Sequence, residues 1–199
     1  MAVTMNDEVL SEAFGPTDGL GLWVKRGLLF VLGIAALALA AKIKIPMWPV
    51  PVTLGTFAVL TVGAAYGPRL GLATILGYMA VGALGFDVFA SSSAEANGLS
   101  YMMGGTGGYL LGYVLATLAL GLAARRGLDR SVTGMALALL VGNVLIYVPG
   151  LLWLGQLYGW DQPILEWGLT PFLLGDALKL VLAALLVPAV WKMVGTARG

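Results

Sequence analysis

Apolar residues fall into six long runs along the chain, separated by short polar stretches or by segments rich in Pro and Gly. A helix crossing the hydrocarbon core of a bilayer needs about 20 mostly apolar residues. Residues 27–43 (GLLFVLGIAALALAAKI), 52–67, 69–89, 104–124, 132–158 and 170–194 fit that requirement, the second run being short. The pattern predicts an all-α, polytopic membrane protein with six transmembrane helices. Residues 1–24 are acidic and mixed, so they read as a cytoplasmic or interfacial N-terminal tail, with residues 25–196 as the transmembrane domain. The start lacks the basic-then-apolar order of a secretory signal. Trp23, Lys25 and Arg26 look like interface anchors for the first span.

Charge fixes the expected orientation. An even number of spans puts both ends on one side, and that side carries Lys25, Arg26, Arg69, Arg125, Arg126, Arg130, Lys192 and Arg198. The opposite side carries Lys42 and Lys44. Cationic loops stay in the cytoplasm, so both termini are expected there, in a multi-pass protein of the inner or plasma membrane. The outer stretches KIKIPMWPVPVT, ASSSAEANGLSYMM and GQLYGWDQPILEWGL read either as a lid over a pocket or as loops under little constraint. In the first of them, three prolines stiffen residues 45–53, which suits a hairpin with Trp48, Pro49 and Val50 over a pocket, or a rigid connector.

Composition narrows the chemistry. Charged residues make up 11% of the chain, less than half the soluble average of about 25%. A formal charge of +1 with no basic patch excludes nucleic acid as a partner. The sequence contains neither Cys nor His, which removes disulfides, Cys or His metal sites, Cys nucleophiles and any Ser–His triad. There is no phosphate-binding loop of the Walker type. No cofactor is expected, and no enzyme.

The exceptional feature is PFLLGDALKLVLAALLVPAVW, residues 171–191, where Asp176 and Lys179 interrupt an apolar run. Three residues along a helix keep two side chains on one face. Each charge at a helix centre costs about 2.5–3.5 kcal/mol on insertion scales. Pairing offsets part of that cost, so an ion pair that orders the helix is one reading. A polar ligand site is the other: the carboxylate accepts N–H bonds, and the ammonium meets an anionic group. Asn143 and Tyr147, four apart on the fifth helix, also share a face, and Tyr78 and Tyr109 are further candidates. GGTGG, residues 104–108, stands at the mouth of the fourth helix. Ala36 and Ala40 form a small-residue pair on the first helix, the spacing that lets membrane helices approach.

KIKIPMWPVPVTLGTFAVLTVGAAYGPRLG, GYMAVGALGFDVFA, GGTGGYLLGY and PFLLGDALK, in this order, give a sequence that resembles the BioY family, the biotin-specific substrate-binding (S) component of energy-coupling-factor transporters. The resemblance covers residues from about 27 to 194. It implies a six-helix substrate-binding bundle for residues 25–196 and biotin entering from outside. Substrate-binding roles would fall on Asp176, Lys179, Asn97, Thr106 and Tyr109, to which the shared helix face adds Tyr147 as a candidate, with the 45–53 loop expected to close above. It also implies a transmembrane coupling subunit docked near Ala36 and Ala40, with two ATPase subunits supplying energy. Gly55, Asp87, Gly105 and Leu110 depart from the family's usual residues. Self-association, an S component for another vitamin, and a proton-coupled carrier built on Asp176 and Lys179 stay open at this stage. So does an intramembrane enzyme, which would need a second catalytic group beside Asp176.

Overall fold

A computed structural model describes residues 7–45, 52–90 and 97–198. Helix α1 spans Gly19–Lys42, α2 Gly55–Ala83, α3 Gly98–Met102, α4 Gly107–Arg125, α5 Val132–Tyr158, α6 Ile164–Gly168 and α7 Leu173–Arg198. Five of these are long and apolar enough to cross a membrane if α6 and α7 are taken together. The sixth predicted crossing is hidden inside α2. Gly67 breaks that element with φ 74° and ψ 179°, followed at once by Pro68. The chain doubles back there: a methyl group built on Gly71 would stand 3.6 Å from the Cα of Gly63, eight residues earlier. In a continuous helix, eight residues would separate them by about 12 Å. Residues 55–66 and 68–83 are therefore two arms of a hairpin, and the described residues make six helical passes in a multi-pass membrane protein.

Two short strands add to the all-α plan. β1 (Lys44–Ile45) pairs antiparallel with β2 (Val52–Thr53), Lys44 opposite Thr53 and Ile45 opposite Val52. The loop after the first span is thus a hairpin at its base. Its tip, with Trp48, Pro49 and Val50, lies outside the described residues. The second apolar run, expected to be helical from residue 52, begins as β2 because the chain must first return from the hairpin.

Helices α1, α2, α4, α5 and α7 pack in sequence, and α7 returns to α2. In lipid, apolar burial does little to drive helices together, so close contact of small residues matters more. Methyl groups at Gly112 and Gly121 would meet the Cα of Ile146 at 2.6 Å and the nitrogen of Pro68 at 2.5 Å. Backbone therefore touches backbone on both sides of α4.

The tail is part of the bundle. Val9 is fully buried against Gly67, and the Ser11 N–H donates to the Ala65 carbonyl at 2.8 Å. Arg125 holds Glu12 through both terminal nitrogens, at 2.5 and 2.6 Å, and donates to the Asp7 carbonyl at 2.7 Å. At the same end, a 3-10 turn at Leu128–Arg130 meets α7: the Trp191 indole N–H donates to Asp129 at 2.6 Å, and Arg130 lies 4.4 Å from the Trp191 ring centroid. Burial pushes the Asp129 carboxyl above its ordinary range, against the opposing effects of the Trp191 bond and the Arg130 charge.

Two outcomes follow from this packing. Gly112→Ala lowers thermal stability by about 1–3 kcal/mol through overpacking, whereas Gly27→Ala, with open space around it, leaves the unfolding midpoint unchanged or slightly raised; tryptophan-fluorescence melts in detergent read both. An acid raised in the folded state favours folding at low pH, and that contribution is lost as pH rises from about 3.9 through the folded value. Trp191→Phe removes a donor to the carboxylate and raises its pKa further. It therefore costs about 1–3 kcal/mol at pH 7 and measurably less at pH 4, when melts are compared across pH.

Candidate functional site

The ion pair predicted from the sixth apolar run lies in the first turns of α7. Asp176 and Lys179 are 6% and 8% exposed, and Lys179 Nζ stands 2.6 Å from Asp176 Oδ1. Neither residue relies on the other alone. Thr56, in the first turn of α2, donates to Asp176 Oδ1 at 3.0 Å and accepts from Lys179 Nζ at 2.9 Å. Tyr147, midway along α5, donates its hydroxyl proton to Asp176 Oδ2. Three membrane helices thus meet at one carboxylate.

This cluster forms part of the wall of a cavity of about 590 Å³. Tyr78, Phe89, Tyr101 and Leu37 line it as well, with Tyr158, Trp167 and the Gly105–Thr106 turn. Aromatic side chains are held by their own contacts. Tyr109 donates to the Gly168 carbonyl at 2.8 Å and meets Tyr147 edge to face, with centroids 6.1 Å apart. Phe89 stacks on Tyr101 at 4.9 Å and meets Tyr78 edge-on at 5.4 Å. The Trp153 indole fixes the glycine-rich turn by donating to the Gly104 carbonyl at 2.8 Å. Thr53 of β2 also lines the cavity, so the base of the hairpin adjoins it.

The hydrogen-bond inventory defines what the cluster can still offer. A carboxylate has about four lone-pair sites, and Thr56, Lys179 and Tyr147 use three of them. An ammonium has three protons, and Thr56 and Asp176 take two. Among the described residues one acceptor site and one N–H are left. That pair matches a ligand group with an N–H beside a C=O, as in an amide or a urea. The remaining walls are apolar and aromatic, which suits a ring system.

The expected site residues are only partly brought together. Asp176, Lys179, Tyr147, Tyr109 and Thr106 line the one cavity, although the Thr106 hydroxyl donates to the Tyr101 carbonyl at 3.2 Å. Asn97 is not among the lining residues; it precedes α3, and its carbonyl accepts from the Ser100 hydroxyl at 2.7 Å. Asn143 shares the Tyr147 face yet lies outside the lining, its Oδ1 buried without a partner among the described residues. Ala36 is exposed on α1, but Ala40 is buried in the cluster around Leu37 and Val59. Thr56 was missed. An isolated threonine at the start of an apolar run gives no periodic signal, and only the fold carries it to a residue 120 positions away.

Comparison with known proteins bears on the family and the fold. Residues 11–196 match the model of the BioY family. A protein of Pyrococcus horikoshii named "Probable biotin transporter BioY" is 35% identical over 158 residues, 79% of this chain and 91% of that one. The "Biotin transporter BioY" of Thermotoga maritima is 31% identical over 159 residues, 80% and 91% of the two chains. A solved structure described as "Crystal structure at 2.1 A of the S-component for biotin from an ECF-type ABC transporter" shares the fold with a TM-score of 0.72 at 20% identity, covering 88% of this chain and 95% of the other. Since the family model spans most of the sequence and relatives above 30% identity cover about four-fifths of it, the chain belongs to the BioY family.

Proposed function

We propose that this chain is a membrane-embedded biotin-binding component that mediates biotin uptake. The observation that carries the reading is the closed Thr56–Tyr147–Asp176–Lys179 cluster on the wall of an aromatic cavity. Biotin has a cyclic urea, a fused apolar ring system and a carboxylate tail. The urea edge uses the free acceptor site of Asp176 and the free proton of Lys179. The rings pack among Tyr109, Tyr78 and Phe89, and the tail points towards the mouth near Thr106 and Trp167.

The names of the relatives support a transporter rather than an enzyme. The further parts of the reading rest on resemblance and charge. A transmembrane coupling subunit docks on the exposed face of α1 beside Ala36, near Ala40, and two ATPase subunits supply the energy. Both termini lie in the cytoplasm, on the side holding most of the Lys and Arg.

Calorimetry on ligand-free protein in detergent tests the site. Wild type binds biotin at nanomolar level, about −12 kcal/mol. Tyr147→Phe weakens binding roughly fivefold to tenfold, as expected for about 1 kcal/mol of lost hydrogen bonding. Asp176→Asn, which breaks the buried pair, weakens it by more than about a hundredfold, given the 3–5 kcal/mol cost of an uncompensated buried charge. Absence of biotin binding in folded wild type refutes the proposal. Unchanged affinity in both variants keeps the ligand and removes the cluster from the site. In cells, uptake withstands a protonophore and fails on ATP depletion; the opposite response overturns the coupling scheme.

A further inference from the structure

A second cavity, of about 290 Å³, opens at the other end of the bundle, between the N-terminal segment, the start of α1 and the turn of α2. Lys25, Arg26, Arg69 and Arg125 reach its lining with Glu12 as the sole carboxylate there, an excess of three positive charges (four minus one). Arg125 and Glu12 satisfy each other. Lys25 donates to the Phe14 carbonyl at 2.8 Å, a neutral acceptor. Arg26 stands 5.7 Å from the ring centroid of Trp23. Among the described residues neither Arg26 nor Arg69 has an ion-pair partner. Apart from Ser11, Trp23 and Tyr66, the remaining wall is apolar: Leu22 and Leu29 on α1, Leu70 and Ala73 on the second arm of α2.

Anchoring cations at a membrane interface are ordinarily spread singly around helix ends. Here they converge on one concavity whose floor is fixed, because Ser11 is bonded to Ala65 and Val9 is buried at Gly67. A soluble anion would satisfy the cations but leave the leucine wall without a partner. An anion carrying an acyl chain satisfies both, and basic pockets between membrane helices bind lipid headgroups in this way. We infer that this cavity binds the phosphate headgroup of an anionic phospholipid, with Arg26 and Arg69 as the principal phosphate contacts and an acyl chain along Leu22, Leu29 and Leu70.

The test uses the purified full-length chain in neutral detergent with dioleoylphosphatidylglycerol or dioleoylphosphatidylcholine added, lipid retention being read by native mass spectrometry. Wild type retains phosphatidylglycerol on the order of tenfold more tightly than phosphatidylcholine, in line with the attraction of two cations to an anionic headgroup. Arg26→Gln/Arg69→Gln abolishes that preference while keeping a cooperative melt. Arg126→Gln/Lys192→Gln, removing the same charge at the same end but outside the cavity, keeps it. Millimolar inorganic phosphate does not displace the lipid. Equal loss in both double variants, or persistence in the first, overturns the proposal, and displacement by inorganic phosphate reassigns the cavity to a soluble anion.

Discussion

A carboxylate and an ammonium inside a bilayer persist only where their lone pairs and protons find partners other than water. Asp176 and Lys179 obey that constraint through residues on two other helices. Thr56 bridges both charges, and Tyr147 supports the second carboxylate oxygen. The cluster thereby ties the start of α2, the middle of α5 and the first turns of α7 to one another. A shift of one residue in α2 would turn Thr56 away by about 100° and leave Lys179 with a single partner. The polar network therefore sets helix register as well as offering a ligand site.

Apolar packing meets a different constraint, since lipid competes equally well for leucine side chains. The helices answer it with glycine. Gly112 brings α4 onto the backbone of α5, and Gly121 brings it onto the corner at Gly67 and Pro68. That corner depends on a positive φ at Gly67, which other residues adopt at a cost. It turns the first arm of α2 back on itself and so presents Thr56 to α7. Val9 fills the outer side of the same corner, so the N-terminal segment acts as a wedge beneath the hairpin instead of a free tail.

The sequence carried the spans and the ion pair because both are local signals: a long apolar run, and two charges three residues apart within one. Tyr147 and Tyr109 were reachable as polar side chains inside spans, whereas Asn143, on the same face as Tyr147, does not line the cavity. Helical spacing alone could not separate those two, because a pocket occupies only part of a helix face. Thr56 was invisible for a related reason: a hydroxyl costs little in an apolar run, so its presence demands no explanation until α7 is seen beside it. The burial of Val9 was equally hidden, since one valine among acidic residues has no periodic partner. Ala36 and Ala40 differ in exposure because a step of four advances about 40° around a helix, enough to carry Ala40 from the outer face into the α1–α2 contact.

The formal neutrality of the cluster bears on selectivity. Asp176 and Lys179 cancel, so this part of the wall of the large cavity offers hydrogen-bonding capacity without net charge. A ligand bearing a formal charge at that depth would bring in an uncompensated ion, whose desolvation costs several kcal/mol. A neutral urea enters without that penalty and meets the acceptor site and the N–H that Asp176 Oδ2 and Lys179 leave unused among the described residues. The charged end of such a ligand is best left away from the cluster, among lining residues such as the Gly105–Thr106 turn, Tyr158 and Trp167. On the proposed reading, orientation is decided less by attraction of the carboxylate than by its exclusion from the neighbourhood of Asp176 and Lys179. Lys179 then serves as the proton donor that distinguishes a urea or amide edge from a hydrocarbon, with Asp176 holding it in place.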